Sequence, residues 1–90
     1  MTNDVPIYDV HVIIENKPTI SDPEGQTILN DLVLKKYHST VLNIRSAKML
    51  KFKIKERDKQ LAKKKIQKIC DDLRIYNPLV SKVTFEVYGV

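Results

Sequence analysis

The stretch Val41 to Lys55, VLNIRSAKMLKFKIK, limits what this chain can fold into more than any other. From Met49 onward it alternates: Leu50, Phe52 and Ile54 point one way, Lys51, Lys53 and Lys55 the other. A period of two marks a strand with one buried face and one wet face. The preceding run, Val41 to Ser46, is rich in β-branched and aliphatic residues and is expected to be the antiparallel partner of that strand. Ala47-Lys48 between them is then a hairpin turn.

The flanks repeat the pattern. In Ile7 to Glu15, Tyr8, Val10, Val12 and Ile14 share one face, and Asp9, His11, Ile13 and Glu15 the other. The all-apolar set is expected to face the helices, leaving His11 on the open face as a half-exposed cross-strand neighbour rather than a ligand. Asp22-Pro23-Glu24 then opens a helix: the carboxylate caps orphan amides, proline sits where no hydrogen bond is lost, and Glu24 complements the helix dipole. Ile28, Leu29, Leu32, Val33 and Lys36 or Tyr37 form its apolar stripe, and it should end near Tyr37-His38, with His38 or Ser39 taking the reversal. Gly25 in the first turn weakens helix propensity, which points to the close approach of another backbone. A second helix runs from the cap Asp58 to about Arg74, with Ala62, Ile66, Ile69, Cys70 and Leu73 as its stripe. Cys70 there acts as a small hydrophobe. Asn77-Pro78 breaks this helix. The last strand, Val80 to Tyr88, turns Val83, Phe85 and Val87 inward and Lys82, Thr84, Glu86 and Tyr88 outward.

Two helices with one stripe each cover one face of a four-stranded sheet. The expected fold is therefore α+β: a two-layer sandwich with an antiparallel sheet and the ferredoxin-like order strand-helix-strand-strand-helix-strand. Ninety residues hold one core, so residues 1–90 are expected to be one domain with a loosely held lead at 1–6. A domain of this size buries only about 60–65% of its unfolded surface, so a partner surface would help it. No apolar run approaches the roughly 18 residues of a membrane span. One cysteine makes no internal disulfide, which fits the cytoplasm.

Charge is uneven within the net +5. Residues 1–44 carry 3 basic against 6 acidic side chains, whereas residues 45–74 carry 12 against 4. A basic half suits an anionic partner, although lysines also simply solvate a strand and a helix face. The inventory for catalysis is sparse. Two distant histidines and one cysteine do not make a metal site, and no nucleophile stands with a base at a recognisable spacing. With only Gly25 and Gly89, a glycine-built phosphate cradle, as in acylphosphatases, is not expected. The lysines of the third expected strand have no aromatic among them to stack bases, which weakens RNA recognition as a reading. A ligand-regulated domain lacks its glycine-rich turn. An interaction subunit is the class the residues favour, with a basic RNA-binding module as the alternative.

Three stretches carry a resemblance: Ser21-Asp22-Pro23-Glu24-Gly25, Val41 to Arg45 leading to Lys48, and Cys70-Asp71-Asp72-Leu73 followed by Asn77-Pro78. On these, from about Tyr8 to Val87, the chain resembles the PurS family, the small subunit of phosphoribosylformylglycinamidine synthase (formylglycinamidine ribonucleotide amidotransferase). The resemblance implies a cytoplasmic, non-catalytic subunit, homodimeric or homotetrameric, in de novo purine biosynthesis. It would bridge a synthetase subunit to a glutaminase subunit and support ammonia transfer between them. It implies no cofactor on this chain, with ATP and magnesium used by the synthetase. The matching positions, Asp22, Pro23, Gly25, Arg45, Lys48, Asn77 and Pro78, are interface candidates. This chain departs from the family pattern at Ala47, usually glycine, where a turn of positive φ would be strained, and at Arg74-Ile75-Tyr76.

Overall fold

Three strands in the order β2-β1-β3 form one antiparallel sheet in the computed structural model, which describes residues 5–37 and 40–90. The strands are β1 (Ile7–Asn16), β2 (Ala47–Lys55) and β3 (Ser81–Gly89). β1 sits in the centre because it is the strand with the most apolar inner face: Val10 and Val12 are fully buried. The register sets Val10 against Phe52 and Val87, and Val12 against Leu50 and Phe85, so each inner row is apolar across the sheet. The alternation read from the sequence fixes this register, since a one-residue slip would put lysines in the core.

One helix, α3 (Lys59–Asp72), covers that face through Ala62, Ile66 and Cys70, all buried. Asp58 caps it by accepting from the Leu61 amide at 2.9 Å. Desolvation, then the nearby Asp71 carboxylate, pushes the Cys70 thiol above its ordinary value, so it stays a neutral packing group. Leu73, expected in the stripe, is exposed, because the helix has already ended. There the Ile75 amide donates to the Cys70 carbonyl at 3.0 Å and the Arg74 amide to the Asp71 carbonyl at 3.3 Å. This is a Schellman closure with Arg74 at φ 51°, the left-handed position that glycine usually fills.

The first helix departs from expectation in its placement. It comprises α1 (Pro23–Thr27), a π-helical stretch π1 (Ile28–Val33) and α2 (Leu34–Tyr37). These pack against one another in sequence but make no substantial contact with a strand. The helix therefore forms an arm beyond the end of the sheet rather than a second cover for it. The principal extents are 62 × 27 × 15 Å, whereas a ten-residue strand spans roughly 33 Å. Of the expected stripe only Leu29 is buried; Leu32 is 64% exposed and Tyr37 68%.

The expected hairpin also resolves differently. Ala47 and Lys48 are not a turn; they belong to β2, opposite Glu15 and Ile14. Ala47 accordingly needs no positive φ, and among the described residues only Arg74 has one. Residues 41–46 form no strand within this chain. The α+β class and the antiparallel sheet stand; the second strand of the ferredoxin-like order runs as unpaired chain. The lead before Val5 and the reversal expected at His38 or Ser39 lie outside the described residues.

Arg74→Gly should stabilise the chain by about 0.5–1 kcal/mol, because the left-handed strain on arginine exceeds the added entropy of glycine. Chemical denaturation with an unchanged m-value is the measurement. No gain in midpoint would mean the α3 closure is not strained.

Candidate interaction site

The seven candidates collect at one end of the sheet, where β1 leaves and β2 and β3 begin. Four of them build the root of the arm. Asp22 is 93% removed from solvent, with 7% remaining exposed, and its carboxylate accepts from three directions. The Gly25 amide reaches Oδ1 at 3.4 Å, closing the N-cap. The Ser46 amide donates to Oδ2, and the Ser46 hydroxyl lies 2.8 and 2.9 Å from the two oxygens. The two bonds from Ser46, amide first, hold the Asp22 carboxyl below its ordinary range, aided by the Gly25 amide and the Arg45 charge and opposed by desolvation.

Gly25 shows why the helix accepts a glycine. A Cβ there would lie 2.2 Å from the Ile44 carbonyl oxygen and 3.1 Å from the Arg45 Cα. The close backbone approach expected from the sequence is present. Pro23 occupies the start of α1, where its missing amide costs nothing. Arg45 reaches back to the loop after β1, donating from one nitrogen to the carbonyls of Asn16, Lys17 and Ile20 at 3.2, 3.1 and 2.8 Å. Asn16 Nδ2 closes the same loop on the Ser21 carbonyl at 2.9 Å. These contacts hold residues 44–46 against the helix start.

Lys48 is free of this lock. It lines a hollow of about 560 Å³ together with Ile14, Glu24, Ser46, Ile75 and Tyr76. Asn77 and Pro78 line an adjoining hollow of about 700 Å³ with Asp71, Arg74 and Tyr76. Asn77 shapes its own turn: its side chain accepts the Leu79 amide at 3.0 Å, and its carbonyl accepts the amides of Val80 and Ser81. Tyr76 stands between the two hollows, its hydroxyl 3.1 Å from Asp71 Oδ1; burial, then that bond, raises its pKa. The sequence marks Glu24 as a helix-dipole residue and Tyr76 as part of a departure from the family pattern, but gives Ser46 only as the end of an extended run. Ser46 pairs with a residue 24 positions away, a separation that leaves no local periodicity to read.

The open sheet face is polar, as its alternation requires. Lys53 pairs with Asp9 at 3.1 Å, and the His11 ring lies 4.9 Å from that of Tyr88, tilted by 54°. Glu86 accepts from the Tyr88 hydroxyl at 3.0 Å, which is the main cause of a raised tyrosine pKa. Among the described residues no group of three or more histidine, cysteine or carboxylate side chains is placed to hold a metal, and no helix is long and apolar enough to cross a membrane.

The family profile described as PurS, phosphoribosylformylglycinamidine (FGAM) synthase, matches residues 9–89, nearly the whole chain. The chain belongs to the PurS family. Solved structures agree. Methanocaldococcus jannaschii PurS, described as one of the subunits of formylglycinamide ribonucleotide amidotransferase in the purine biosynthetic pathway, superposes with a TM-score of 0.80 at 26% identity. That match covers 92% of this chain and 98% of the other. Thermus thermophilus PurS gives 0.75 at 26% identity over 94% and 99%. A chain of the PurLQS structure from Thermotoga maritima gives 0.75 at 22% identity over 94% and 99%, a likeness of fold. No curated protein sequence matches significantly. The resemblance read from Asp22 to Gly25 and from Cys70 to Pro78 is thus borne out at the level of family and fold.

Two predictions test the root of this PurS chain. Gly25→Ala should cost about 2 kcal/mol or more, since the obstacle is backbone rather than a flexible side chain; thermal denaturation reads it, and an unchanged midpoint would deny the close approach. The lowered carboxyl of Asp22 contributes stability that is fully present above its ordinary value of 3.8 and lost as pH falls through the lower folded value. Asp22→Asn should therefore flatten the acid limb of the stability curve below about pH 4 and leave its upper part parallel to that of the parent. Curves of identical shape would remove Asp22 from the acid response.

Proposed function

We propose that this PurS chain is the non-catalytic bridging subunit of phosphoribosylformylglycinamidine synthase in de novo purine biosynthesis. It holds the ATP-dependent synthetase subunit against the glutaminase subunit, so that ammonia released from glutamine reaches the synthetase site and formylglycinamide ribonucleotide becomes formylglycinamidine ribonucleotide. The family match over residues 9–89 is the observation that carries this reading. The shape supports it: a slab 62 Å long and 15 Å thin offers separated ends and two faces to larger partners. In this role the chain acts in the cytoplasm as a homodimer or homotetramer and binds no cofactor itself, ATP and magnesium belonging to the synthetase.

Within that role the seven candidates divide by availability. Asp22, Pro23, Gly25 and Arg45 shape the corner, their polar groups already engaged inside the chain. Lys48, Asn77 and Pro78 line the hollows and are the ones offered to a partner subunit. The alternative, RNA binding by the basic half, draws on the exposed lysines of β2 and α3, but those rows lack an aromatic stacking platform.

Co-expression with the synthetase and glutaminase subunits of the same organism should yield a ternary complex whose glutamine-dependent turnover requires this chain. Turnover with free ammonia should depend on it much less. Lys48→Glu should weaken assembly without altering the circular dichroism of the free subunit. Glutamine-dependent turnover at full rate without the chain, or salt-sensitive RNA binding in place of complex formation, would displace the bridging role.

A further inference from the structure

Arg74 stands at a position that glycine would fill more easily. It closes α3 at φ 51°, in the left-handed region, where an arginine is strained and a glycine is not. The closure gains nothing from the side chain, since both of its hydrogen bonds come from backbone amides, those of Arg74 and Ile75. The helix dipole does not account for it either. A base is favoured in the last turn of a helix, where α3 has no base and carries Asp71 and Asp72 instead. The ion pairs among the described residues are Lys53 with Asp9 and Lys68 with Asp72, so the exposed guanidinium is uncommitted. Strain that the rest of the fold does not use points to a side chain kept for what it meets outside the chain.

Its surroundings fit a protein partner. Leu73 and Ile75 flank it in sequence, 68% and 39% exposed, and Leu79, 80% exposed, lines the same hollow of about 700 Å³. Asp71, the acid of that hollow, is engaged by the Tyr76 hydroxyl at 3.1 Å. The corner is braced from within. The Asn77 side chain and carbonyl hold the amides of Leu79, Val80 and Ser81, and the Val80 carbonyl accepts the Lys17 amide at 2.9 Å. Apolar groups held outward by a braced turn lose little freedom when covered. We infer that a companion subunit of the synthase docks here, setting a carboxylate on Arg74 and apolar side chains on Ile75 and Leu79. The planar guanidinium matches a carboxylate through two parallel hydrogen bonds. A free anion would satisfy Arg74 but leave the apolar side chains wet. A second copy packed face to face on this corner would set Arg74 against Arg74. An acidic side chain flanked by apolar ones, on a different chain, satisfies both the charge and the apolar rim.

This docking corner rests on the bridging role proposed above and names the chemistry of one of its contacts. The test is calorimetric titration of the chain with the synthetase subunit and with the glutaminase subunit, each alone, followed by glutamine-dependent turnover. Arg74→Gly should raise the denaturation midpoint of the free chain and yet weaken binding to one companion by about tenfold or more, the loss of a charge-assisted contact. Arg74→Lys should recover part of that affinity, since it keeps the charge without the planar fork. Leu79→Asp should weaken binding to the same companion while melting like the parent, because the side chain is exposed and the new carboxylate repels the incoming one. Turnover with Arg74→Gly should fall at limiting chain concentration and recover at excess. The mass of the free chain should be the same for parent and variants. Parental affinity of Arg74→Gly for both companions overturns this inference and leaves the bridging role standing. A variant that binds more weakly because its own free-chain mass has changed also overturns it, since the corner would then serve a second copy. If the parent chain binds neither companion, the bridging role falls and this contact with it.

Discussion

Everything distinctive about this molecule depends on one buried carboxylate. Asp22 caps the first helix and at the same time receives the amide and hydroxyl of Ser46, the residue that precedes β2. A helix start and a strand start are thereby fastened at one point, with Gly25 allowing the two backbones to touch. Arg45 completes the joint by gathering three loop carbonyls that would otherwise need water. The consequence is geometric. Residues 44–46 lie against the helix start rather than paired along β2, and the first helix stands clear of the sheet.

That joint explains how a PurS subunit of ninety residues comes to be 62 Å long. Its core is small: Val10, Val12, Ala62, Ile66 and Cys70 are the fully buried centre, with the inner rows of β2 and β3 packed round them. Much of the remaining apolar surface, including Leu32 and Tyr37 on the arm, Leu42, Leu73 and Leu79, is left outside. In an autonomous domain this would be a liability. For the bridging role proposed above, exposed apolar surface and unpaired edges are a means of attachment.

The polar surface has a complementary logic. The basic half read from residues 45–74 lies on the wet side of β2 and on the exposed positions of α3, where most lysines face solvent; Lys53 answers Asp9, and Lys68 answers Asp72 at 3.4 Å. Charges so exposed add little stability. Their effect is longer in range, attracting acidic surfaces from both faces of the slab.

Much of this was legible in the amino-acid order. Alternation in Ile7–Glu15, Met49–Lys55 and Val80–Tyr88 determined three strands and which side of each is buried, because a strand's period of two leaves only one face that can be apolar. The caps Asp22 and Asp58 and the stripe Ala62, Ile66, Cys70 determined two helices, and Gly25 announced a close backbone contact without naming its partner. Local order stopped short at Val41–Ser46. Its β-branched composition states that it is extended, but no local signal states what it lies beside. That was decided by tertiary structure, through bonds from Asp22 and Arg45 to residues more than twenty positions away. Periodicity encodes which face of an element meets apolar surroundings; only the folded chain, by choosing between its own sheet edge and a distant carboxylate, decides where that element goes.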